Sequence, residues 1–324
     1  MSNDFAARFA ACFTAPPALT GKYADSARDH GAENQDQTNA VFSEKWSKYD
    51  ESDEQENLYA FQRDWYLSLY GFGTEEALRD FLADKTVIFD AGCGLGYKAA
   101  WFAELAPHAL VIGMDFSEAA AHAAARYADM ENLYFVRGDI ARTGFATGAI
   151  SYSSCDQVIM HTEDPEATFA ELARITDKAG QVACYFYAKK ALPRELLDDY
   201  FRIHCKDMSS EALWAMSEQL TTLGKTLSEL NVQFEAPDIP ELGIKGGTYD
   251  IQRFIYWNFL KCFWNPELGQ ETSVSCNFDW YSPSNARRFS KPEVEGIVAD
   301  NAMDIVTFHS EEAAHSGRFA HRKS

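Results

Sequence analysis

The stretch Lys85-Thr86-Val87-Ile88-Phe89-Asp90-Ala91-Gly92-Cys93-Gly94-Leu95-Gly96 decides the fold of this 324-residue chain. Its apolar run, residues 87–89, is typical of a parallel strand buried on both faces, and residues 99–106 predict the helix that follows. Glycines 92, 94 and 96 allow the backbone to turn tightly and to approach a ligand closely. The sequence therefore predicts a nucleotide-binding turn between a buried strand and a helix.

Two further acids follow apolar segments in the same way. Residues 110–114 predict a second strand, and Asp115 stands at its carboxyl end, at the chain distance expected of a carboxylate that binds a ribose diol. Residues 132–137 alternate as a third strand does and lead to Asp139, which is placed to accept a hydrogen bond from an adenine amino group. The turn and the two acids together indicate an adenosine-containing ligand.

Three strands that end in Asp90, Asp115 and Asp139 resemble those of the class I S-adenosylmethionine (SAM) dependent methyltransferases. Residues 149–155 and 181–188 match the fourth and fifth strands, and between them lie the segment 156–165 and an amphipathic helix, 166–176, with Gly180 as its C-cap. The resemblance implies an α/β fold with a Rossmann-like, seven-stranded sheet. Residues 193–200, 243–257 and 278–283 resemble a subfamily that carries a cap.

Four segments follow from the pattern and the resemblance. Residues 1–84 are expected to form an N-terminal helical arm, 85–189 the SAM-binding core, 190–290 an aromatic-rich helical cap, and 291–324 the end of the sheet. Residues 20–37 are polar and predict a mobile arm, whereas residues 38–49 place Phe42, Trp46 and Tyr49 on one helical face. These aromatics either dock the arm on the core or form a lid over SAM, and both interpretations stay open.

Inside the last two segments, helices are predicted at residues 193–204, 210–230, 250–263 and 291–301, and strands at 304–309 and 317–322. The helix at 250–263 is unusually aromatic and carries few polar residues, which is not typical of a solvated surface helix.

The resemblance also implies which residues hold the ligands. The SAM-binding set expected from it is Asp90, Gly92, Cys93, Gly94, Asp115, Phe116, Asp139, Ile140, Asp156 and Gln157, with Phe42 and Trp46 contributed by the arm. Aromatic faces stabilise a sulfonium cation, and the expected substrate pocket is Tyr249, Arg253, Tyr256, Trp257, Trp280 and Tyr281. Cys93 is expected to be a small structural residue of the turn and not a nucleophile.

The expected activity is methyl transfer from SAM to a small-molecule acceptor in an enclosed pocket. His161 follows the fourth strand, where open α/β sheets place their chemistry, and is the candidate base, with Tyr185 and Tyr187 as further catalytic candidates. One alternative is cyclisation of SAM itself to azetidine-2-carboxylate and methylthioadenosine. Another is a catalytically silent SAM-fold protein, against which the intact glycines and acids argue.

Composition limits the partners. A formal net charge of −20 argues against nucleic acid as a substrate, because phosphate binding needs clustered Lys and Arg. Seven scattered cysteines without a CxxC pair indicate free thiols, no metal-binding set is evident, and no apolar run is long enough to span a membrane. We therefore expect a cytoplasmic enzyme without a metal or a membrane partner, and we keep a homodimer as an open alternative.

Overall fold

The computed structural model describes residues 4–26, 32–49 and 54–323. The described strands, in chain order, are β1 (Leu19–Thr20), β2 (Tyr23–Asp25), β3 (Val87–Ala91), β4 (Leu110–Asp115), β5 (Leu133–Arg137), β6 (Ile150–Cys155), β7 (Thr176–Tyr187), β8 (Gln233–Ala236), β9 (Gly247–Asp250), β10 (Met303–Ser310) and β11 (Ala314–His321). The described α-helices are α1 (Phe5–Ala11), α2 (Glu33–Tyr49), α3 (Gln55–Leu69), α4 (Glu75–Leu82), α5 (Tyr97–Leu105), α6 (Ala119–Arg126), α7 (Pro165–Ile175), α8 (Leu192–Cys205), α9 (Ser210–Glu229), α10 (Ile251–Asn258), α11 (Gly269–Tyr281) and α12 (Lys291–Asp300).

One sheet organises the molecule. Within the described ranges it has nine strands in the order β1-β2-β5-β4-β3-β6-β7-β11-β10, and β8 pairs with β9 in a separate hairpin. Strands β2 to β7 pair in parallel, whereas β11 lies antiparallel between β7 and β10. The chain order reverses at β3, and in open α/β sheets such a reversal leaves a ligand crevice beyond the carboxyl ends of the strands.

The Rossmann-like α/β fold is confirmed, with an addition at one edge of the sheet. The seven expected strands are β3 to β7, β10 and β11, and the described residues add β1 and β2 beyond β5. The segment predicted to be a mobile polar arm, residues 20–37, supplies these two short strands and the start of α2, while its residues 27–31 lie outside the described ranges. Tyr23 pairs with Phe135, so backbone pairing places this polar segment on the sheet.

Two predicted boundaries are wrong for local reasons. Gly180 does not cap α7, because α7 ends at Ile175 and the chain continues directly into β7, which contains Gly180. The Thr176 hydroxyl donates to the Leu172 carbonyl at 2.8 Å and closes the helix earlier. Helix α10 is shorter than predicted, because the Asn258 amide donates to the Phe254 carbonyl at 2.9 Å and competes with continuation of the helix.

Helices α8 to α11 lie between β7 and α12 in the chain. A second apolar cluster joins Leu213 of α9 to Phe278, Trp280 and Tyr281 of α11, and Val41 of α2 belongs to it. Helix α2 therefore packs on these helices as well as on the sheet side. The division of the chain into arm, core and cap stays a prediction.

The described part of the chain contains no helix that is long and apolar enough to cross a membrane. Exposed apolar side chains recur along α8, at Leu192, Leu196, Tyr200 and Ile203. The homodimer stays a prediction.

Candidate functional site

A crevice lies beyond the carboxyl ends of β3, β4, β5 and β6, and one face of α2 closes it. It brings together nine of the residues expected from the sequence: Phe42, Trp46, Gly92, Asp115, Phe116, Asp139, Ile140, Gln157 and His161. The crevice encloses about 100 Å³, less than the roughly 300 Å³ at which small-molecule pockets begin. With α2 in this position, the crevice is smaller than a bound nucleotide.

Asp115 organises the turn that faces this crevice. Its carboxylate accepts the Gly94 N–H at 2.9 Å through Oδ2, and it accepts the Ser117 N–H and hydroxyl at 2.9 and 2.6 Å through Oδ1. Each carboxylate oxygen has further lone-pair capacity for a ribose hydroxyl. Asp115 thus both shapes the glycine turn and offers the acceptor that a ribose diol requires.

The glycines permit close packing against the turn. Gly92 has a φ of +77°, and a Cβ at this position would lie 2.4 Å from both methyl groups of Val158. Gly94 has a φ of +50°, and a Cβ there would lie 3.0 Å from the Trp46 indole. The ring of Trp46 therefore rests directly on the turn, so α2 is in a closed position.

Behind the turn, Asp90 and Asp156 flank one buried lysine. Lys98 Nζ donates to Asp156 Oδ2 at 2.5 Å, and the Tyr70 hydroxyl donates to Asp156 Oδ1 at 2.8 Å. Burial alone would lower the pKa of Lys98, but Asp156 and Asp90 raise it. Asp156 is thus bound to the protein's own groups and does not line the crevice.

Asp90 is in a different electrostatic state. Burial raises the pKa of its carboxyl to about 6 despite the nearby charge of Lys98. Asp90 Oδ2 is buried and has no hydrogen-bond partner within the described ranges. An unpartnered carboxylate oxygen behind the turn fits a ligand that carries an ammonium group, as the methionine part of SAM does.

Cys93 also lies behind the turn. The residue is buried, and burial raises the pKa of its thiol well above the ordinary value. A protonated, inaccessible thiol is a poor nucleophile, which agrees with the structural role expected of Cys93.

His161 lies on the wall of the crevice, in a short 3-10 turn after β6. Its Nδ1 is 2.7 Å from the Asn285 carbonyl oxygen, which only accepts, so Nδ1 carries the proton and Nε2 keeps a lone pair. Burial lowers the pKa of His161 to about 4. The side chain is therefore a neutral imidazole with an available acceptor nitrogen at neutral pH.

A row of aromatic rings runs from His161 away from the crevice. The centre of the His161 ring lies 4.8 Å from that of Phe42 and 5.5 Å from that of Tyr187. The Tyr187 ring in turn lies 4.9 Å from the Trp280 ring. Tyr185 stands 6.0 Å from Tyr187. Tyr187 thus lies between His161 and Trp280 of α11, and Tyr185 lies beside Tyr187; neither tyrosine is in the crevice lining.

The six residues expected in a substrate pocket do not share one surface. Tyr249, Arg253 and Trp257 line a separate cavity of about 500 Å³ beside β11. The Tyr281 hydroxyl donates to Asp198 at 3.1 Å, and the Trp280 indole N–H donates to the same carboxylate at 2.9 Å. Trp280 belongs to the aromatic row, and Tyr256 contacts Trp257 at 4.6 Å. The pocket assignment of all six residues stays a prediction.

Sequence reasoning missed the contribution of the first turns of α2. Gln35, Thr38 and Asn39 line the crevice together with Ser117, Gly138, Val158 and Thr162. Gln35 Oε1 accepts the Glu163 N–H at 2.7 Å, which ties α2 to the His161 segment. These polar residues carry no motif, and only the aromatic spacing of Phe42 and Trp46 signalled that the helix faces the site.

The central part of the chain is similar in sequence to known methyltransferases. Residues 89–184 match the model of the methyltransferase domain family. The chain is 31% identical over 106 residues to an uncharacterized methyltransferase, C1B3.06c, of Schizosaccharomyces pombe, a match that covers 30% of this chain and 38% of the relative. The chain thus spans about two fifths of that relative.

Solved structures with a similar overall shape include magnesium protoporphyrin IX methyltransferase (ChlM) from Synechocystis PCC 6803. Its SAM-bound form has a TM-score of 0.49 and 13% identity, covering 91% of this chain and 100% of that one. Its form with bound SAH has a TM-score of 0.48 and 14% identity, covering 90% and 100%. Similarity at this level supports no inference about the substrate of this chain.

Residues 89–184 are therefore similar to a methyltransferase domain, and they lie in a Rossmann-like α/β sheet. SAM is the cofactor of such a domain. In this chain, Asp115 would bind the ribose of SAM and Asp90 the ammonium group of its methionine part. The glycine turn would allow the backbone to approach the cofactor closely.

Proposed function

We propose that the protein transfers a methyl group from SAM to a small-molecule acceptor. The observation that carries the proposal is the position of His161, a neutral histidine with a lone pair on Nε2, on the same crevice as Asp115 and the glycine turn. Bound SAM would supply an electrophilic methyl group. The protein has to orient an acceptor and take up the proton that the acceptor loses.

The surroundings of His161 suit these tasks. The Asn285 carbonyl fixes the ring orientation and tautomer, and Phe42 packs edge-on against the ring at 4.8 Å. Tyr185 is 2% exposed, so the aromatic row keeps water away from this side. A small acceptor enclosed between α2 and α11 fits this arrangement better than a macromolecule, which needs an open groove.

Product analysis tests the proposal. The purified protein is incubated with SAM and pools of small metabolites, and nucleoside and acceptor products are identified by mass spectrometry. We expect S-adenosylhomocysteine together with an acceptor that has gained one methyl group. Methylthioadenosine and a cyclic amino acid formed from SAM alone would instead establish the cyclisation alternative. Failure to bind SAM in calorimetry would indicate a catalytically silent protein.

His161→Asn should lower kcat about 100-fold or more and leave the SAM dissociation constant nearly unchanged, because general base catalysis contributes about 10²–10⁴-fold. Asparagine keeps a donor for the Asn285 carbonyl but has no basic nitrogen. The measurement is steady-state turnover of the identified acceptor, with SAM affinity measured by calorimetry.

The matched control is His321→Asn, because His321 also contacts a backbone carbonyl, that of Thr176 at 3.0 Å, and lies outside the crevice lining. It should leave kcat unchanged. Since burial lowers the pKa of His161 to about 4, kcat should not fall through an inflection near pH 6.5. An equal loss of turnover in both variants would contradict the role of His161.

A further inference from the structure

Positive charge is concentrated around Trp280, inside a chain whose net charge is −20. Four cationic groups lie within 6 Å of the centre of its ring: Lys261 at 4.4 Å, Arg194 at 5.1 Å, Arg202 at 5.3 Å and Lys190 at 5.9 Å. Trp280 is itself 4% exposed. Cations at such distances are attracted to the ring face, but the attraction does not replace a counter-ion at a buried site.

The nearby carboxylates are already engaged. Asp198 accepts from Arg194 Nε at 2.8 and 2.9 Å, and also from the Trp280 indole and the Tyr281 hydroxyl. Asp279 pairs with Lys45 of α2 at 2.6 Å. Neither carboxylate forms an ion pair with Lys261, although both influence its titration.

Two of the four cations are fixed by the backbone or by neighbours. Lys190 Nζ donates to the carbonyls of Ala188 and Ala313 at 2.7 and 3.1 Å. Arg194 is held by Asp198 and by the Tyr256 carbonyl. Their hydrogen bonds fix both groups beside the ring, and Arg194 supplies a permanent charge, whereas burial lowers the pKa of Lys190 to about 7 and leaves it partly charged at neutral pH.

Lys261 differs from both. It is 7% exposed, and within the described ranges its ammonium group forms no hydrogen bond and no ion pair. Burial lowers its pKa to about 8, so the charged form is present at neutral pH. A buried ammonium without a partner is costly, and a ligand carboxylate beside it would relieve that cost.

Three tyrosine hydroxyls also lack a hydrogen-bond partner among the described residues. Tyr185, Tyr187 and Tyr256 are largely buried, and for their hydroxyls the described residues provide no hydrogen-bond partner. Tyr187 contacts both the Trp280 ring and the His161 ring, at 4.9 and 5.5 Å. Ring contacts thus lead from His161 through Tyr187 to Trp280, the ring over which the Lys261 ammonium lies.

We propose that Lys261 is the carboxylate-binding residue of an acceptor site lined by Tyr187, Tyr185, Tyr256 and Trp280, and that the acceptor is a small aromatic carboxylic acid. The ammonium would bind the carboxylate, and the flat rings would contact the body of the acid. This assignment rests on the proposed methyl transfer, because it places the acceptor's other end toward His161.

The test uses benzoate and its neutral isostere benzamide as probes of the full-length protein, with and without S-adenosylhomocysteine. Equilibrium binding should favour benzoate over benzamide about tenfold or more, as expected for a hydrogen bond to a charged group. Lys261→Met should abolish the preference and Lys261→Arg should keep it. Lys225→Met is the matched control, because Lys225 also lies over a tryptophan, Trp264, at 5.2 Å but is exposed.

A stability measurement makes the test independent of the probe. Lys261→Met removes a buried, unpartnered charge, so the melting temperature of the unliganded protein should rise by about 2–5 °C. A fall would show that Lys261 supports the fold and would overturn the proposal. Equal affinity for the two probes in the unmodified protein, absence of binding, or a preference that survives in Lys261→Met would also overturn it.

Failure of the methyl-transfer proposal can be distinguished from failure of the Lys261 carboxylate site. SAM affinity is measured on the same samples, since Lys261 lies outside the crevice lining. Loss of the benzoate preference in Lys261→Met with no SAM binding would leave the carboxylate site standing and reject methyl transfer. Normal SAM turnover on acceptors without a carboxylate would reject the carboxylate site alone.

Discussion

Asp115→Ala is expected to raise the dissociation constant for SAM at least about 100-fold. The substitution removes the proposed acceptor for the ribose diol and also frees the Gly94 N–H, which donates to Asp115 at 2.9 Å. Hydrogen bonds to charged groups contribute about 1.5–3 kcal/mol each, and each 1.4 kcal/mol corresponds to a tenfold change. Calorimetric titration with SAM and with S-adenosylhomocysteine measures the effect.

Asp177→Ala provides the control for Asp115. Asp177 also uses its carboxylate to accept a backbone N–H of its own loop, that of Ala179 at 2.8 Å, but it lies near the start of β7, at the opposite edge of the sheet. Its loss should leave SAM affinity unchanged. SAM binding that persists within threefold in Asp115→Ala would show that the crevice does not bind the ribose.

Gly92→Ala should destabilise the protein by about 2–5 kcal/mol and abolish SAM binding. An added Cβ would lie 2.4 Å from both Val158 methyl groups, and overpacking costs about 1–3 kcal/mol. The positive φ of +77° adds about 1–2 kcal/mol for a residue with a Cβ. Urea unfolding measures the free energy, and calorimetry measures SAM binding.

The two causes can be separated. Val158→Ala in the Gly92→Ala background removes both methyl groups and should recover part of the stability, while the cost of the positive φ remains. Gly296→Ala is the control with the opposite sign, because no atom lies within 4 Å of its added Cβ and the residue is helical. It should stabilise the protein by about 0.5–1 kcal/mol. A Gly92→Ala protein as stable as Gly296→Ala would contradict the packing described for the turn.

The core of the fold was predictable because its signals are local. Buried parallel strands appear in the sequence as apolar runs. Asp90 and Asp115 directly follow two of these runs, and Asp139 follows the third strand after Arg137 and Gly138. Helix α11 was not predicted, since its first turns, Gly-Gln-Glu-Thr-Ser, lack an apolar period and most of its residues are buried without one face being polar. Helix α11 is therefore stabilised by burial in the tertiary structure, and its sequence shows no helical periodicity.

Only the site residues that belong to sequence motifs could be predicted. The crevice residues near the glycine turn follow from sequence, whereas Gln35, Thr38 and Asn39 enter through packing of α2 over residues distant in the chain. Lys261 carries no signal at all, because a single lysine between apolar residues acquires meaning only from the charges and rings that the fold places around it.

Helix α2 is shared by the two sites. Its Phe42 and Trp46 close the cofactor crevice, while its Lys45 pairs with Asp279 at 2.6 Å beside Trp280. Because one rigid helix carries both contacts, it cannot uncover the crevice and leave the α11 side untouched. If both proposals hold, exchange of spent cofactor and release of the methylated product would be a single opening event, and the rate of that event would set an upper limit on turnover however fast the chemical step is.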